Sequence, residues 1–161
     1  MSFFTADLCD RFSDQPNFQI AEPIFRQFGA KLRFSGQITT LKVFEDNSLV
    51  RATVKNKVTD RVLVIDGGGS RRCALLGDTL TGLAMENGWQ GIIVYGCIRG
   101  SERIDQMPIG VMALNTHPLR SRKHGSGDLD VMITFAGVNF KKDHYLYADR
   151  DGILVSETKL D

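Results

Sequence analysis

Three short stretches of this chain hold residues whose types and spacing could do chemistry. The first is Gly77-Asp78-Thr79-Leu80, at the start of a predicted helix. The first turn of a helix leaves backbone N–H groups without partners, and its positive end favours an anion. The second is Arg99, just beyond an apolar run. A guanidinium fork holds a carboxylate through two parallel hydrogen bonds. Facing a helix start, it makes a carboxylate clamp in which the amides take a neighbouring oxygen. Asp78 either caps the helix or orients the arginine or a metal-bound water. The third stretch is Gly67-Gly68-Gly69-Ser70-Arg71-Arg72. Its glycines permit positive φ and close backbone approach, as anion-cradling loops require. It matches neither GxGxxG nor GxxxxGK[ST], so a tight turn is the better reading.

Other reactive residue types carry less. Arg120-Ser121-Arg122-Lys123-His124 is a basic run without interleaved aromatics. It reads as a solvated loop, with a partner-binding loop as the alternative. His117, His124 and His144 show no metal-ligand spacing. Cys9, Cys73 and Cys97 are odd in number and widely spaced, which fits a reducing cytosol better than a disulfide framework.

The elements around these residues follow from periodicity. Thr5 can cap a first helix over Thr5–Phe12, with Leu8, Cys9 and Phe12 on one face. A short segment runs from Glu22-Pro23 to Gly29. A long strand is predicted over 33–44, bent at Gly36. A short helix opens at 45–48 and runs to Val54. Val62-Leu63-Val64-Ile65 is apolar throughout and suits a strand buried on both faces. A helix follows over 79–87, closed by Gly88, with Trp89 in the core. Gly91-Ile92-Ile93-Val94-Tyr95 is the next strand. Together they make a βαβ unit whose loops share the carboxyl rim, where open α/β sheets bind ligands. Beyond Pro108, short strands at 111–114, 131–135, 145–147 and 153–155 make the C-terminal half mainly β. The predicted class is α/β, as one domain over 1–161.

Composition narrows the function. Twenty Lys and Arg against nineteen Asp and Glu give a net charge of +1. No global field draws in nucleic acid or an anionic membrane, so an RNA-linked role would run through a protein partner. No apolar run reaches the length of a membrane span, and the N-terminus lacks a signal-peptide pattern. A cytoplasmic protein is expected.

Several blocks, in order, resemble the RraA-like family, named for regulator of ribonuclease E activity A. They include Thr5-Ala6-Asp7-Leu8-Cys9-Asp10, Val64-Ile65-Asp66-Gly67-Gly68-Gly69-Ser70, Asn87-Gly88-Trp89-Gln90-Gly91-Ile92 and Leu146-Tyr147-Ala148-Asp149. The resemblance implies a β/β/α domain of the swivelling type, assembled as a homotrimer with a cleft between subunits. Some members are metal-dependent aldolases acting on 4-hydroxy-4-methyl-2-oxoglutarate, which also decarboxylate oxaloacetate through a pyruvate enolate. Others bind ribonuclease E and inhibit it. The aldolase pattern is an aspartate, twenty residues, then Arg-Asp. Asp78 and Arg99 match its first two positions, and Gly100 stands where the aldolases place a metal-binding aspartate. By this pattern Gly77, Asp78, Thr79, Leu80 and Arg99 bind a small oxo-acid, with Asp78 and Arg99 catalytic. A Mg²⁺ or Mn²⁺ ion would bind at position 100 and, through water, at Asp78. Glu102 or Asp105 could stand in for the missing ligand if the loop folds back. Gly100 weakens the metal site, so the resemblance puts the ribonuclease regulator first and the lyase second.

Overall fold

The structure is a computed structural model that describes residues 2–161. Its elements are α1 (Thr5–Phe12), β1 (Gln19–Ile20), β2 (Arg26–Phe28), β3 (Phe34–Lys42), α2 (Ser48–Val54) and β4 (Arg61–Asp66). Then come β5 (Ala74–Leu76), α3 (Asp78–Glu86), β6 (Trp89–Ile98), α4 (Ser101–Ile104) and β7 (Gly110–Thr116). The chain ends with β8 (Asp128–Leu129), β9 (Ile133–Phe135), β10 (Val138–Phe140), β11 (Tyr145–Asp149) and β12 (Gly152–Ser156). The fold is α/β, as the periodicity predicts.

Ten strands form one sheet in the order β1-β12-β11-β3-β4-β6-β7-β2, with β5 beside β6 and β8 beside β3. The centre, β3-β4-β6-β7, is parallel throughout. Parallel neighbours need crossovers, and α2, α3 and α4 supply them. The apolar run of β4 is buried on both faces, as expected. Leu63 and Ile65 pack with Ile92, Val94 and Ala113 under Val50, Leu80, Ala84 and Ile104 of the helices. Val62 and Val64 pack with Ile93 and Met112 beneath Phe135 and Phe140. Those two phenylalanines belong to a β9–β10 hairpin turned by Ala136 and Gly137, both at positive φ. That is the geometry of a tight two-residue hairpin.

Several boundaries differ from the sequence reading. β6 continues to Ile98, because β5 pairs with its far end after β4 has left. β5 itself, three residues long, was not predicted; nor was α4. The strand expected from Val131 starts at Ile133. Gly36 marks a close approach: an added Cβ would lie 2.5 Å from the Asp60 carbonyl oxygen. The cap of α1 is Phe4, and Thr5 is its first residue. Thr5 instead donates its N–H (2.7 Å) and its hydroxyl (2.6 Å) to the Asp149 carboxylate at the end of β11.

Two buried aspartates fasten peripheral segments to this sheet. Asp149 holds α1 through Thr5 and also accepts the Asp151 N–H. Burial penalises its charge, but the Thr5 and Asp151 hydrogen bonds outweigh that and lower the carboxyl pKa. Asp46 accepts from Ser48 (N–H 2.9 Å, hydroxyl 2.7 Å) and from the N–H groups of His124 (2.8 Å) and Ser126 (3.2 Å). Burial works against its charge as well, yet these donors lower its pKa to about 2.

Asp149→Ala should therefore cost about 1–3 kcal/mol, the price of leaving buried donors unmatched. Thermal unfolding and amide exchange within α1 would show it. Both carboxyls have depressed folded pKa values, so their stabilisation is complete above the unfolded value near 4 and fades as pH falls through the folded one. Asp46→Ala should loosen the 120–126 loop. Limited trypsin digestion should then cut at Arg120, Arg122 or Lys123 several-fold faster, and an unchanged cleavage rate would refute that anchoring role.

Candidate active site

β5 and β6 run parallel, with Ala74 opposite Cys97 and Leu76 opposite Ile98, so both leave the sheet at the same rim. β5 passes through Gly77 into α3, and β6 passes through Arg99-Gly100 into α4. The Arg99 N–H donates to the Leu76 carbonyl at 2.9 Å, which ties the two exits together. A Cβ added at Gly77 would touch Arg99, 3.6 Å from Cγ and 3.7 Å from Nε. One added at Gly100 would lie 2.6 Å from Oδ1 of Asp78. The turn carrying Asp78 and the turn carrying Arg99 thus meet, as the clamp requires.

The helix start is open. Its cap is Gly77, with no side chain to cover the first amides, and Asp78 is the first helical residue rather than the cap. The first intrahelical bond runs from the Thr81 N–H to the Gly77 carbonyl at 3.0 Å. Among the described residues, the N–H groups of Asp78, Thr79 and Leu80 find no acceptor. Leu80 buries its side chain in the core, so only its N–H faces outward duties. Arg99 is exposed; its Nη1 reaches the Pro118 carbonyl at 3.4 Å, leaving most of the fork free. Asp78 pairs with Arg103 Nη1 through Oδ2, at 3.4 Å. Sequence reasoning missed Arg103 and Pro118. The signal for Arg103 was Gly100-Ser101-Glu102, which opens the short α4 that carries it.

The triple-glycine loop is a packed turn. The Gly67 and Gly69 N–H groups both donate to the Tyr95 carbonyl, the Gly68 N–H to Asp66 Oδ1, and the Ser70 N–H to the Gly67 carbonyl. No amide of these four is left to cradle a phosphate. A cleft of about 820 Å³ lies at the opposite rim. It is lined by residues such as Lys31, Arg33, Gln37, Asp60 and Gln90, near the amino ends of β3, β4 and β6.

The profile of the RraA-like family (Aldolase/RraA) matches residues 5–155. The chain belongs to the RraA-like family. A Methylococcus capsulatus protein named "Putative 4-hydroxy-4-methyl-2-oxoglutarate aldolase" is 63% identical over 99% of both chains. An Aromatoleum aromaticum protein of the same name is 54% identical, again over 99% of each. Among solved structures, the RNA-processing inhibitor RraA from Thermus thermophilis superposes with a TM-score of 0.94. It is 39% identical, with 100% of this chain and 96% of that one covered. An S-adenosylmethionine:2-dimethylmenaquinone methyltransferase from Geobacillus kaustophilus gives 0.95 at 49% identity, covering 98% and 97%.

The metal implied for this RraA-like chain meets a sparse donor set. No group of three or more His, Cys, Asp or Glu gathers anywhere among the described residues. Beside Gly100 stands the Asp78 carboxylate, already paired with Arg103. Asp105 does not fold back as a substitute, because its Oδ1 accepts the Gly29 N–H at 2.9 Å. Glu102 is exposed on the first turn of α4. A hard cation needs several oxygen ligands, so these residues do not hold one by themselves.

Gly100 sits at φ +68, which aspartate tolerates better than most residues. Gly100→Asp would press a second carboxylate against Asp78, and neighbouring like charges oppose joint ionisation. Without metal, the variant should lose roughly 1–3 kcal/mol, a few degrees of Tm. Added Mg²⁺ or Mn²⁺ should recover more Tm than it adds to the unsubstituted chain. Equal metal responses in the two proteins would count against this reading of the loop.

Proposed function

We propose that this chain is a lyase that cleaves 2-oxo acids through a pyruvate enolate, with 4-hydroxy-4-methyl-2-oxoglutarate as its aldol substrate. The carrying observation is Arg99 set against the uncapped start of α3 at Gly77. The names of close relatives favour this over the ribonuclease regulator that Gly100 had put first.

The chemistry follows from charge. The Arg99 fork takes the pyruvyl carboxylate, and the amides of Asp78, Thr79 and Leu80 take the 2-oxo oxygen. In oxaloacetate the C3–C4 bond breaks, CO₂ leaves, and the electron pair moves onto the C2 oxygen. The resulting enolate is protonated at C3 to give pyruvate. Fixed donors and a helix end aimed at that oxygen stabilise its developing charge. The aldol substrate also needs a proton removed from its C4 hydroxyl. Asp78 is the carboxylate in the groove that accepts it, directly or through water. Assembly as a homotrimer, with the groove facing a neighbouring subunit, belongs to the same proposal. A divalent cation would supply Lewis-acid stabilisation of the enolate oxygen only if ligands beyond Asp78 completed its shell.

A second reading rests on the Thermus thermophilis likeness: binding ribonuclease E and slowing RNA cleavage. Purified chain in large excess over the ribonuclease, with labelled RNA, tests it; undiminished cleavage refutes it. The methyltransferase named for the Geobacillus kaustophilus protein gains no support from the triple-glycine loop, whose amides are spent internally.

Arg99→Ala should lower kcat/KM for oxaloacetate decarboxylation, assayed with Mg²⁺ or Mn²⁺, by about 10²–10³-fold. Asp78→Asn should depress aldol cleavage far more than decarboxylation, because losing CO₂ needs no proton acceptor. Absence of lyase activity, or activity indifferent to Arg99, would end the proposal.

A further inference from the structure

The basic run 120–124 builds a second, smaller pocket on the same rim. It measures about 390 Å³ and is lined by Glu45, Arg72, Cys73, Leu119, Arg120, Ser121 and Arg122. Its walls are fixed on both sides. The Ala74 N–H donates to the Leu119 carbonyl at 2.8 Å, the Arg122 N–H to the Glu45 carbonyl at 2.9 Å, and the Asn47 N–H to the Arg122 carbonyl at 3.2 Å. Asp46 ties down the following turn through His124 and Ser126. The backbone of the run is thus pinned, while Arg120, Arg122, Lys123 and His124 stay exposed to solvent as the solvated-loop reading expects.

Three guanidinium groups share this pocket with a single carboxylate, and that carboxylate is already spent. Glu45 accepts Arg72 Nε at 2.7 Å and Nη2 at 2.9 Å, and also the Ser70 hydroxyl at 2.6 Å. These bonds, the Arg72 contact foremost, lower its pKa to about 2, so it stays charged and occupied. They also fix the Arg72 fork in the pocket wall with Nη1 still free. Arg120 and Arg122 line the same pocket. Cys73 and Ser121 are buried beneath. The lining therefore carries a surplus of two positive charges. Leu119 follows Pro118, whose carbonyl receives Arg99 Nη1, so the pocket adjoins the Arg99 groove.

We propose that this pocket is a second anion site, for an oxyanion of the phosphate or carboxylate class held by Arg72, Arg120 and Arg122. Guanidinium forks suit such groups, and Arg72 is already held in place by Glu45. The oxyanion is either a free phosphate or the far carboxylate of an oxo-diacid whose near end sits at Arg99. The second source rests on the lyase reading; the first does not.

Calorimetric titration of the full chain separates them. The ligands are inorganic phosphate, pyruvate and 2-oxoglutarate. The proteins are the unsubstituted chain, Arg99→Ala, and the double variant Arg120→Gln with Arg122→Gln. Both substituted arginines are exposed, so the double variant should keep its Tm. Phosphate binding that weakens at least tenfold in the double variant and survives Arg99→Ala supports the site with a free anion as its ligand. A preference for 2-oxoglutarate over pyruvate that collapses in the double variant supports it with the far carboxylate as its ligand. If neither ligand distinguishes the double variant from the unsubstituted chain, the second site is refuted. Pyruvate binding that ignores Arg99→Ala would count against the lyase reading alone.

Discussion

Between Val62–Ile65 of β4 and the facing 91–94 stretch of β6, the sheet has no side that can meet water. One face buries Leu63, Ile65, Ile92 and Val94 under the helices. The other buries Val62, Val64 and Ile93 under the β9–β10 hairpin. Parallel strands this apolar need cover on both sides, and they need crossovers long enough to reverse the chain. The helices and the hairpin provide that cover. The pairing of β4 with β6 is consequently the interaction on which the remaining architecture depends.

The rim that carries Asp78 and Arg99 is a by-product of that pairing. Parallel strands deliver their carboxyl ends to one edge, so the turns after β4, β5 and β6 crowd together there. Crowding demands small residues. Gly100 lets Asp78 approach to a distance that a Cβ would forbid, 2.6 Å from Oδ1. The same demand produces the triple-glycine loop, with a different outcome. Its amides turn inward, and the four N–H groups of residues 67–70 all find acceptors at Tyr95, Asp66 and Gly67. The start of α3 keeps its first amides unspent, which is what an anion site needs.

Charge on this rim is arranged by pairing as much as by composition. Glu45 immobilises Arg72, Asp78 holds Arg103, and Asp46 spends itself on backbone donors of the 120–126 loop. These three carboxylates are occupied, and the unmatched guanidinium groups are left facing solvent. A nearly neutral chain thereby presents a locally cationic edge. That favours small oxyanions over a large polyanion, for which the net charge offers little long-range attraction.

The sequence by itself determined the elements whose pattern is local. The run Val62-Leu63-Val64-Ile65, the apolar face of the helix before Gly88 and the Gly91–Tyr95 strand were legible because burial on two faces leaves an unbroken apolar signature. Asp78 and Arg99 were legible for a related reason: both follow such strands or open such a helix, and the family pattern spaces them. What only the tertiary structure decided was everything set by neighbours distant in the chain. β5 is three residues long and exists because β6 outlasts β4. Thr5 looked like a cap but serves Asp149, 144 residues away. The basic run looked like loop, yet it is pinned by Asp46 and Glu45, which no spacing rule connects to it. Local periodicity records which face a residue buries; it holds no record of which remote group will be waiting there.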